Sequence, residues 1–322
     1  MAQTASWSDQ AVRLVGKAIL APSSHNTQPW FFLLGEPYVD LLADRTRALP
    51  VNDPTDRELT ISCGCALLNL LLAAADSDFL VENWLLPDPE EPDWLARVSI
   101  NRDPVERDPA ADLARFIGLR RTCRTRFEPR PVADEVVAAM VAAAAAEGVW
   151  LTPLLTDGQR TRAVSLVVEA DALQWGDAAW RRELAQWMHA RSEGDGLTVP
   201  PFTASVTQMV VRNFDMGGGV GSKDRDLAQS SPLLAVLGTD GDTPRDWLAA
   251  GQALQRVLLV GCSFGLRASY LNQPIQVASL RGRVGELVGN RGFPQILLRF
   301  GYAANPLTPA PRRPLEDVIE WA

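Results

Sequence analysis

Two long helical stretches dominate the pattern of hydrophobic and polar positions along the chain. Residues 63–72 and 250–259 each carry a continuous apolar stripe at the spacing of a helix. Gly, Ala-Leu and Leu-Leu recur at the same internal positions in both stretches, with Gly64 and Gly251 as equivalent residues. This repetition predicts two related units in tandem, although two unrelated amphipathic helices would also produce it by coincidence.

Shorter patterns extend the repeat more weakly towards the N-terminal side of each long helix. In the first unit, residues 10–20 have helical spacing and residues 30–34 form an extended pattern. In the second unit, a helix at 133–147 and a strand at 150–155 follow the same order. We therefore expect a helix and then a strand at corresponding places in both units.

Two stretches of low periodicity indicate the domain organisation. Residues 85–109 are rich in Pro, Asp and Glu and contain one short strand pattern, 96–100, so we place the boundary near Asp112, between units 1–112 and 113–322. Residues 191–231 contain paired prolines and three consecutive glycines. A loop this long inside a compact domain is usually functional or disordered, so we interpret it as an inserted lid or as a mobile surface excursion.

Composition and charge exclude several classes of protein. Of the 322 residues, 47% are hydrophobic and 22% charged, which is typical of a soluble globular protein, and the net charge of −8 disfavours a nucleic-acid surface. The longest apolar run, 61–75, is too short to span a bilayer and predicts a buried helix. Charged residues interrupt the N-terminal stretch, and the four cysteines form neither a disulfide framework nor a metal motif. We expect a cytoplasmic protein without a metal site.

The segment 21–30, APSSHNTQPW, concentrates hydroxyl and amide side chains in a short turn. These polar residues are Ser23, Ser24, Asn26 and Gln28, and Pro22 fixes the turn. Hydroxyls and amides with free backbone N–H groups between them suit hydrogen bonding to a flat heterocycle with polar edges. An ordinary polar loop is the alternative interpretation.

A second segment, 120–127, carries four arginines in seven residues. The residues that we assign to anion binding are Arg120, Arg121, Thr122 and Arg124. Guanidinium groups bind phosphate in a bidentate manner, and a hydroxyl adds a further donor. The segment therefore predicts a cradle for a phosphate group, with a solvated basic turn as the alternative.

Both segments resemble motifs of the nitroreductase family of FMN-dependent oxidoreductases. The first is similar to the family's flavin-contacting loop and the second to its phosphate-binding RRS-x-R motif, although here the arginines follow the loop instead of preceding it. The C-terminal strings 271–274, 293–302 and 311–318 resemble the Acg branch of long single chains, so the resemblance covers nearly the whole sequence. It adds Arg312 and Arg313 as helpers at the phosphate.

The resemblance implies a duplicated α+β nitroreductase fold, with two fused units that form an intramolecular pseudo-dimer of mixed, mostly antiparallel sheets flanked by helices. The first unit would supply the flavin-ring loop and the second the phosphate cradle, so one FMN per monomeric chain is expected. Hydride would pass between NAD(P)H or an organic substrate and a nitro, quinone or similar acceptor, and no acid–base residue is required. A lidded FMN-binding or storage protein without turnover is the alternative function.

Overall fold

The computed structural model describes residues 6–101, 109–200 and 203–322, in which helices and strands alternate along the chain. The helices are α1 (Trp7–Ala18), α2 (Arg57–Asp76), α3 (Ala114–Ile117), α4 (Asp134–Ala145), α5 (Asp157–Gly176), α6 (Ala178–Gln186), α7 (Ala204–Asn213), α8 (Gly217–Gln229), α9 (Pro244–Ser263), α10 (Gln273–Gln276) and α11 (Ala278–Leu287). The strands are β1 (Trp30–Leu34), β2 (Tyr38–Ala43), β3 (Leu80–Leu85), β4 (Trp94–Asn101), β5 (Trp150–Pro153), β6 (Met188–Ala190), β7 (Leu197–Val199), β8 (Leu233–Thr239), β9 (Arg267–Tyr270), β10 (Phe293–Gly301) and β11 (Ile319–Trp321).

The strands form two main sheets. The first has the order β11-β1-β2-β4-β3 and the second the order β5-β8-β10-β9, while β6 and β7 make a separate pair. Within the two main sheets every pairing is antiparallel except that of β1 with β11. Since β11 comes from the end of the chain, the C-terminal segment crosses back and completes the sheet of the first unit. The predicted α+β class with mostly antiparallel sheets is confirmed.

The second sheet is buried on both faces. Leu233, Ala235 and Leu237 of β8 lie in one hydrophobic cluster, together with side chains of α4 and α9. The alternate residues Leu234 and Val236 lie in another cluster, with side chains of α5 and α11. Since successive side chains of a strand point to opposite faces, helices on both sides require a continuous apolar run.

The two long apolar helices cross each other at the two equivalent glycines. A Cβ atom on Gly64 would lie 2.3 Å from the carbonyl oxygen of Leu248, and one on Gly251 would lie 2.1 Å from that of Ile61. Neither position has room for a side chain, so glycine allows α2 and α9 to approach backbone to backbone. The repeated glycines therefore meet in the core between the two units, while the tandem duplication itself stays a prediction.

The apolar run at 61–75 lies in α2 and is a core helix, as predicted. By length and hydropathy α2 could cross a membrane, but 89% of its most apolar window is buried inside the protein. The helix packs against α1 and α9 instead.

One expectation about the two irregular segments is confirmed and one is wrong. The strand pattern predicted at 96–100, inside the stretch 85–109, lies in β4, which pairs with both β2 and β3. The stretch 191–231 is not a long loop, because it contains α7 and α8, and its three consecutive glycines lie in the first turn of α8. Residues 102–108 and 201–202 lie outside the described residues, and the boundary near Asp112 stays a prediction.

Candidate functional site

The amide loop (residues 22–28) follows α1 in a constrained conformation. His25, Asn26 and Gln28 have φ angles of 48°, 57° and 53°. Left-handed backbone at a residue other than glycine costs on the order of 1 kcal/mol at each position, so other contacts must hold the loop in place. One of them is local, because the Ser23 Oγ accepts a hydrogen bond from the Gln28 N–H at 2.9 Å.

The two amide side chains of the loop are bonded within the protein. The Gln28 side chain is completely buried; its Nε2 donates to the Gly194 oxygen at 2.9 Å, and its Oε1 accepts from the Arg313 N–H at 2.9 Å. The Asn26 Nδ2 donates to the Pro311 oxygen at 3.2 Å. These amides therefore tie the loop to two segments that are remote in sequence.

A buried carboxylate connects the amide loop to the second unit. Glu58, 3% exposed, accepts hydrogen bonds from the Ser24 hydroxyl and from the side chains of Asn272 and Gln276. The last two belong to the 271–276 segment, which includes α10. Since Ser24 donates its proton to Glu58, its Oγ can only accept from a further partner.

The basic cluster (Arg120, Arg121, Arg124 and Arg312) lies beside the amide loop. The Arg120 Nη2 and the Arg312 Nη2 both donate to the Leu20 oxygen, at 3.3 and 3.0 Å. Leu20 is two residues before the loop begins. The fold thus brings together two motifs that lie about a hundred residues apart in sequence.

The positive charges of the basic cluster form no ion pair with a carboxylate in the part of the chain that the structure describes. None of the ion pairs among the described residues includes its four arginines. Burial, followed by the charges of Arg120 and Arg121, lowers the pKa of Arg312 to about 9. Arg120 and Arg121 also line a small pocket together with Arg267. Repulsion of this kind would be relieved by a bound anion.

Several polar side chains at or near the basic cluster lack a hydrogen-bond partner among the described residues. The Arg120 Nε, the Tyr270 hydroxyl and the His25 Nδ1 are buried without a hydrogen bond, and the Arg124 side chain makes none. Burial, followed by the opposing effects of Glu58 and Arg124, lowers the pKa of His25 to about 4, so His25 is neutral at pH 7. Unsatisfied buried polar atoms are rare, and here the Arg120 Nε, the Tyr270 hydroxyl and the His25 Nδ1 occur near one group of arginines, of which Arg124 is exposed.

The segment 194–196 lies on the amide loop. The Gly196 N–H donates to the Asn26 oxygen at 3.3 Å. Asp195 pairs with Arg47, which also donates to the Thr27 oxygen of the loop. The start of the 191–231 segment therefore covers the loop from outside.

Comparison with known proteins decides the family. No family model matches the chain. "Putative NAD(P)H nitroreductase Rv3131" of Mycobacterium tuberculosis is 33% identical over 313 residues, which cover 94% of this chain and 89% of the relative. The chain belongs to the nitroreductase family. "Putative NAD(P)H nitroreductase acg" of the same organism is 28% identical over 94% of this chain and 92% of its own length, so the inferred relation to the Acg branch is confirmed.

Solved structures of nitroreductases resemble the chain more distantly. The FMN- and NADPH-dependent nitroreductase NfnB from "sphigopyxis sp. strain HMH" is 17% identical. The alignment covers 65% of this chain and 98% of the NfnB chain, at a TM-score of 0.44. NfnB from Mycobacterium smegmatis in complex with NADPH, also 17% identical, covers 66% of this chain with 99% of its own, at a TM-score of 0.43.

In this nitroreductase, the two C-terminal arginines are engaged by the protein. Arg312 donates from all three of its nitrogens to carbonyls at the end of α1, to its own segment and to the Asn26 Oδ1. Arg313 pairs with Asp44 and donates to the Gln28 oxygen. Their assignment to the phosphate stays a prediction; the contacts that the structure gives them hold the amide loop.

Sequence reasoning missed three residues of the site. Tyr270 and Glu58 stand in stretches that give no signal of their own, because their roles depend on contacts between distant segments. His25 lies inside the amide loop, but we assigned it no role. Its neutral ring lies close enough to Arg124 for that charge to influence its pKa.

Proposed function

We propose that this nitroreductase is an FMN-dependent oxidoreductase that takes hydride from NAD(P)H or an organic substrate and reduces a nitro, quinone or similar acceptor. The observation that supports this best is the basic cluster directly beside the amide loop, whose arginines have no carboxylate partner among residues 6–101, 109–200 and 203–322. A dianionic phosphate group attached to a flat, polar-edged ring has the chemistry that the two motifs require together. The names of the relatives point the same way.

The donor set fits FMN. In this proposal Arg120, Arg121, Thr122 and Arg124 hold the phosphate, and the unpartnered Arg120 Nε becomes one of its donors. Arg312 and Arg313 add positive charge and hold the loop against its neighbours. When bound, FMN supplies the ring that carries hydride.

The amide loop forms the wall along the ring in this proposal. The wall consists of Pro22, Ser23, Ser24, Asn26 and Gln28. Since the side chains of Asn26 and Gln28 are bonded internally, they act chiefly by fixing the backbone of the loop. There the Ser24 Oγ can only accept a hydrogen bond from the ring, because its hydroxyl already donates to Glu58. The neutral His25 adds no positive charge to the wall.

A second function, FMN storage without turnover, is favoured by the 194–196 segment. Its contacts with the Asn26 oxygen and the Gln28 side chain place part of the 191–231 segment over the loop. If the segment closes the site permanently, it would hold FMN and exclude the reductant. We propose that it is instead a lid that opens during turnover.

The proposal includes one FMN per chain, in a monomeric cytoplasmic protein that arose by tandem duplication and binds neither nucleic acid nor membranes. One amide loop and one arginine motif are enough for one complete site. Flavin released by denaturation, divided by protein, should approach one. A ratio near two would contradict the single site.

Anaerobic stopped-flow absorbance tests turnover. The flavin band of the FMN-loaded protein should bleach on addition of NADPH or NADH and return on addition of a nitro-aromatic or quinone. Bound FMN that no donor reduces would favour the storage protein. Failure to bind FMN at all would reject both functions.

A further inference from the structure

A charged residue lies inside a buried, mostly apolar strand of the second sheet. Arg299 is the charged residue of β10 and is 1% exposed. Burial lowers the pKa of its guanidinium, and its Nε has no partner among the described residues. Since a buried charge costs several kcal/mol unless it is well paired, an apolar side chain would pack here at lower cost. Packing alone therefore does not explain why an arginine occupies this position.

The guanidinium of Arg299 holds the backbone of the arginine motif. Its Nη2 donates to the Cys123 oxygen at 2.8 Å and its Nη1 to the Thr125 oxygen at 3.1 Å. It also lies over the ring of Phe127, 4.6 Å from the centroid. One rigid side chain thus fixes two carbonyls, since the planar guanidinium donates in a fixed fork geometry.

Arg124 lies between these two carbonyls. The Cys123 carbonyl belongs to the residue before Arg124, and the Thr125 carbonyl belongs to the residue after it. On the other edge, the Cys123 N–H donates to the Ala268 oxygen at 2.9 Å. Because the Arg124 side chain has no hydrogen-bond partner among the described residues, its direction depends on this backbone.

We propose that Arg299 is a positioning residue for the phosphate of the cofactor: it holds the 123–125 backbone so that Arg124 is directed at the phosphate group. This inference rests on the proposed function, because it concerns the phosphate end of that site. A residue with this role controls how strongly the protein prefers FMN to riboflavin, which has the same ring and no phosphate. A residue that only stabilised the fold would affect both flavins equally.

The test measures dissociation constants of the apoprotein for FMN and for riboflavin by quenching of flavin fluorescence. The wild-type protein should prefer FMN by at least about 100-fold, because several charge-assisted contacts, each worth about ten- to 150-fold, hold the phosphate. Arg299→Met should reduce this preference at least about tenfold by weakening FMN binding, with the riboflavin constant within about twofold of wild type. Arg283→Met is the matched control, because Arg283 forms an exposed ion pair with Glu169 of α5 and should leave both constants unchanged.

Two further variants keep the test decisive. Arg299→Lys keeps the charge but cannot donate to both carbonyls in the same geometry. It should therefore reduce the FMN preference by less than Arg299→Met does, and it replaces the Met variant in the test if that variant does not fold. The double variant Arg124→Ala/Arg299→Met should lose no more preference than Arg124→Ala alone, because both act through one contact.

An unchanged FMN preference in either Arg299 variant would overturn the inference, and so would an equal loss of affinity for both flavins. These outcomes leave the proposed function intact, provided that the wild-type protein binds FMN and is reduced. If the wild-type protein binds neither flavin, the proposed function fails first. If it binds both equally tightly, the basic cluster is not a phosphate site and the inference fails with it.

Discussion

The amide loop and the basic cluster meet at the end of α1, but the two amides of the loop differ from Arg120 and Arg124 of the cluster in how their polar groups are satisfied. Asn26 and Gln28 of the loop bond to Pro311, Gly194 and Arg313. In the cluster, by contrast, the Arg120 Nε is buried without a partner, and Arg124 makes no hydrogen bond among the described residues.

This contrast shows that two residues can belong to site motifs and still have different roles, one in the stability of the site and the other in ligand binding. Buried polar groups with complete hydrogen bonds determine the shape of a site and cost free energy when they are removed. Buried groups without partners are available to a ligand, and removing them costs the fold little. Asn26 and Gln28 of the loop should therefore matter mainly for stability, and Arg120 and Arg124 of the cluster mainly for binding. Four substitutions test this, from the largest expected effect to the smallest.

Arg124→Ala should weaken FMN binding strongly without weakening the apoprotein. Loss of one charge-assisted contact should raise the dissociation constant by about ten- to 150-fold, or roughly 1.5–3 kcal/mol. The free energy of unfolding of the apoprotein should stay within about 0.5 kcal/mol, because Arg124 has no protein partner to lose. Fluorescence titration and urea unfolding of the same preparation measure the two quantities. Retention of FMN after extensive dialysis would show that Arg124 does not hold the phosphate.

Gln28→Ala should show the reverse pattern. It removes a buried amide that bonds to Gly194 and Arg313, so the apoprotein should lose about 1–3 kcal/mol of unfolding free energy. FMN affinity should fall less than in Arg124→Ala. As a control, Asn213→Ala removes an exposed amide from the end of α7 and should change stability by under about 0.5 kcal/mol. A Gln28 variant as stable as wild type would contradict the structural role of the loop.

The sequence allowed the fold to be predicted where local pattern and packing agree. The strand at 30–34 is present with those bounds, and the helix predicted at 10–20 forms at Trp7–Ala18. Gly64 and Gly251 were aligned as equivalents, and they meet at the crossing of the two central helices. In these elements the hydrophobic period is set by the core that the element faces.

Prediction failed where tertiary contacts override local composition. Glycine is a poor helix former, yet α8 begins within the triple glycine, because it packs along α5. The internal partners of Gln28 lie 166 and 285 residues away, and no local pattern contains them. The sequence therefore indicated which residues gather at the site, while the role of each residue there depends on long-range hydrogen bonds.

His25→Asn should change the pH dependence of stability at the junction of the two regions. The pKa of His25 is lowered to about 4 from 6.5, so between these values the unfolded chain binds more protons than the folded protein. Stability from this residue is therefore complete above pH 6.5 and is lost as the pH falls towards 4. The variant should lose about 1–2 kcal/mol less than wild type between pH 7 and 4.5. Asn suits the comparison because it tolerates the left-handed backbone of this position.

Urea unfolding of both apoproteins across this range measures the difference. Carboxylates with raised pKa values, such as Asp53 and Asp171, titrate in both proteins and cancel in the comparison. Parallel curves for the two proteins would mean that His25 is hydrated in the folded state, and that the junction is more open than its contacts indicate.

Asp195→Asn should have the smallest effect on stability and should distinguish a lid from a fixed cover. Asp195 holds the 194–196 segment on the amide loop through Arg47 and also contacts the His189 Nδ1 at 2.7 Å, and the substitution keeps its size while it removes its charge. Because the pair is partly exposed, we expect a local loss of about 0.5–1 kcal/mol and an FMN dissociation constant within about twofold of wild type. If the segment is a lid, the rate of FMN reduction by NADPH in stopped-flow absorbance should rise by about two- to fivefold. Glu169→Gln, which breaks the exposed pair with Arg283, is the matched control and should reduce at the wild-type rate. Equal rates for Asp195→Asn and wild type would mean that this contact does not control access to the site. The amide loop would then shape the site and the basic cluster would bind the phosphate without a lid that opens.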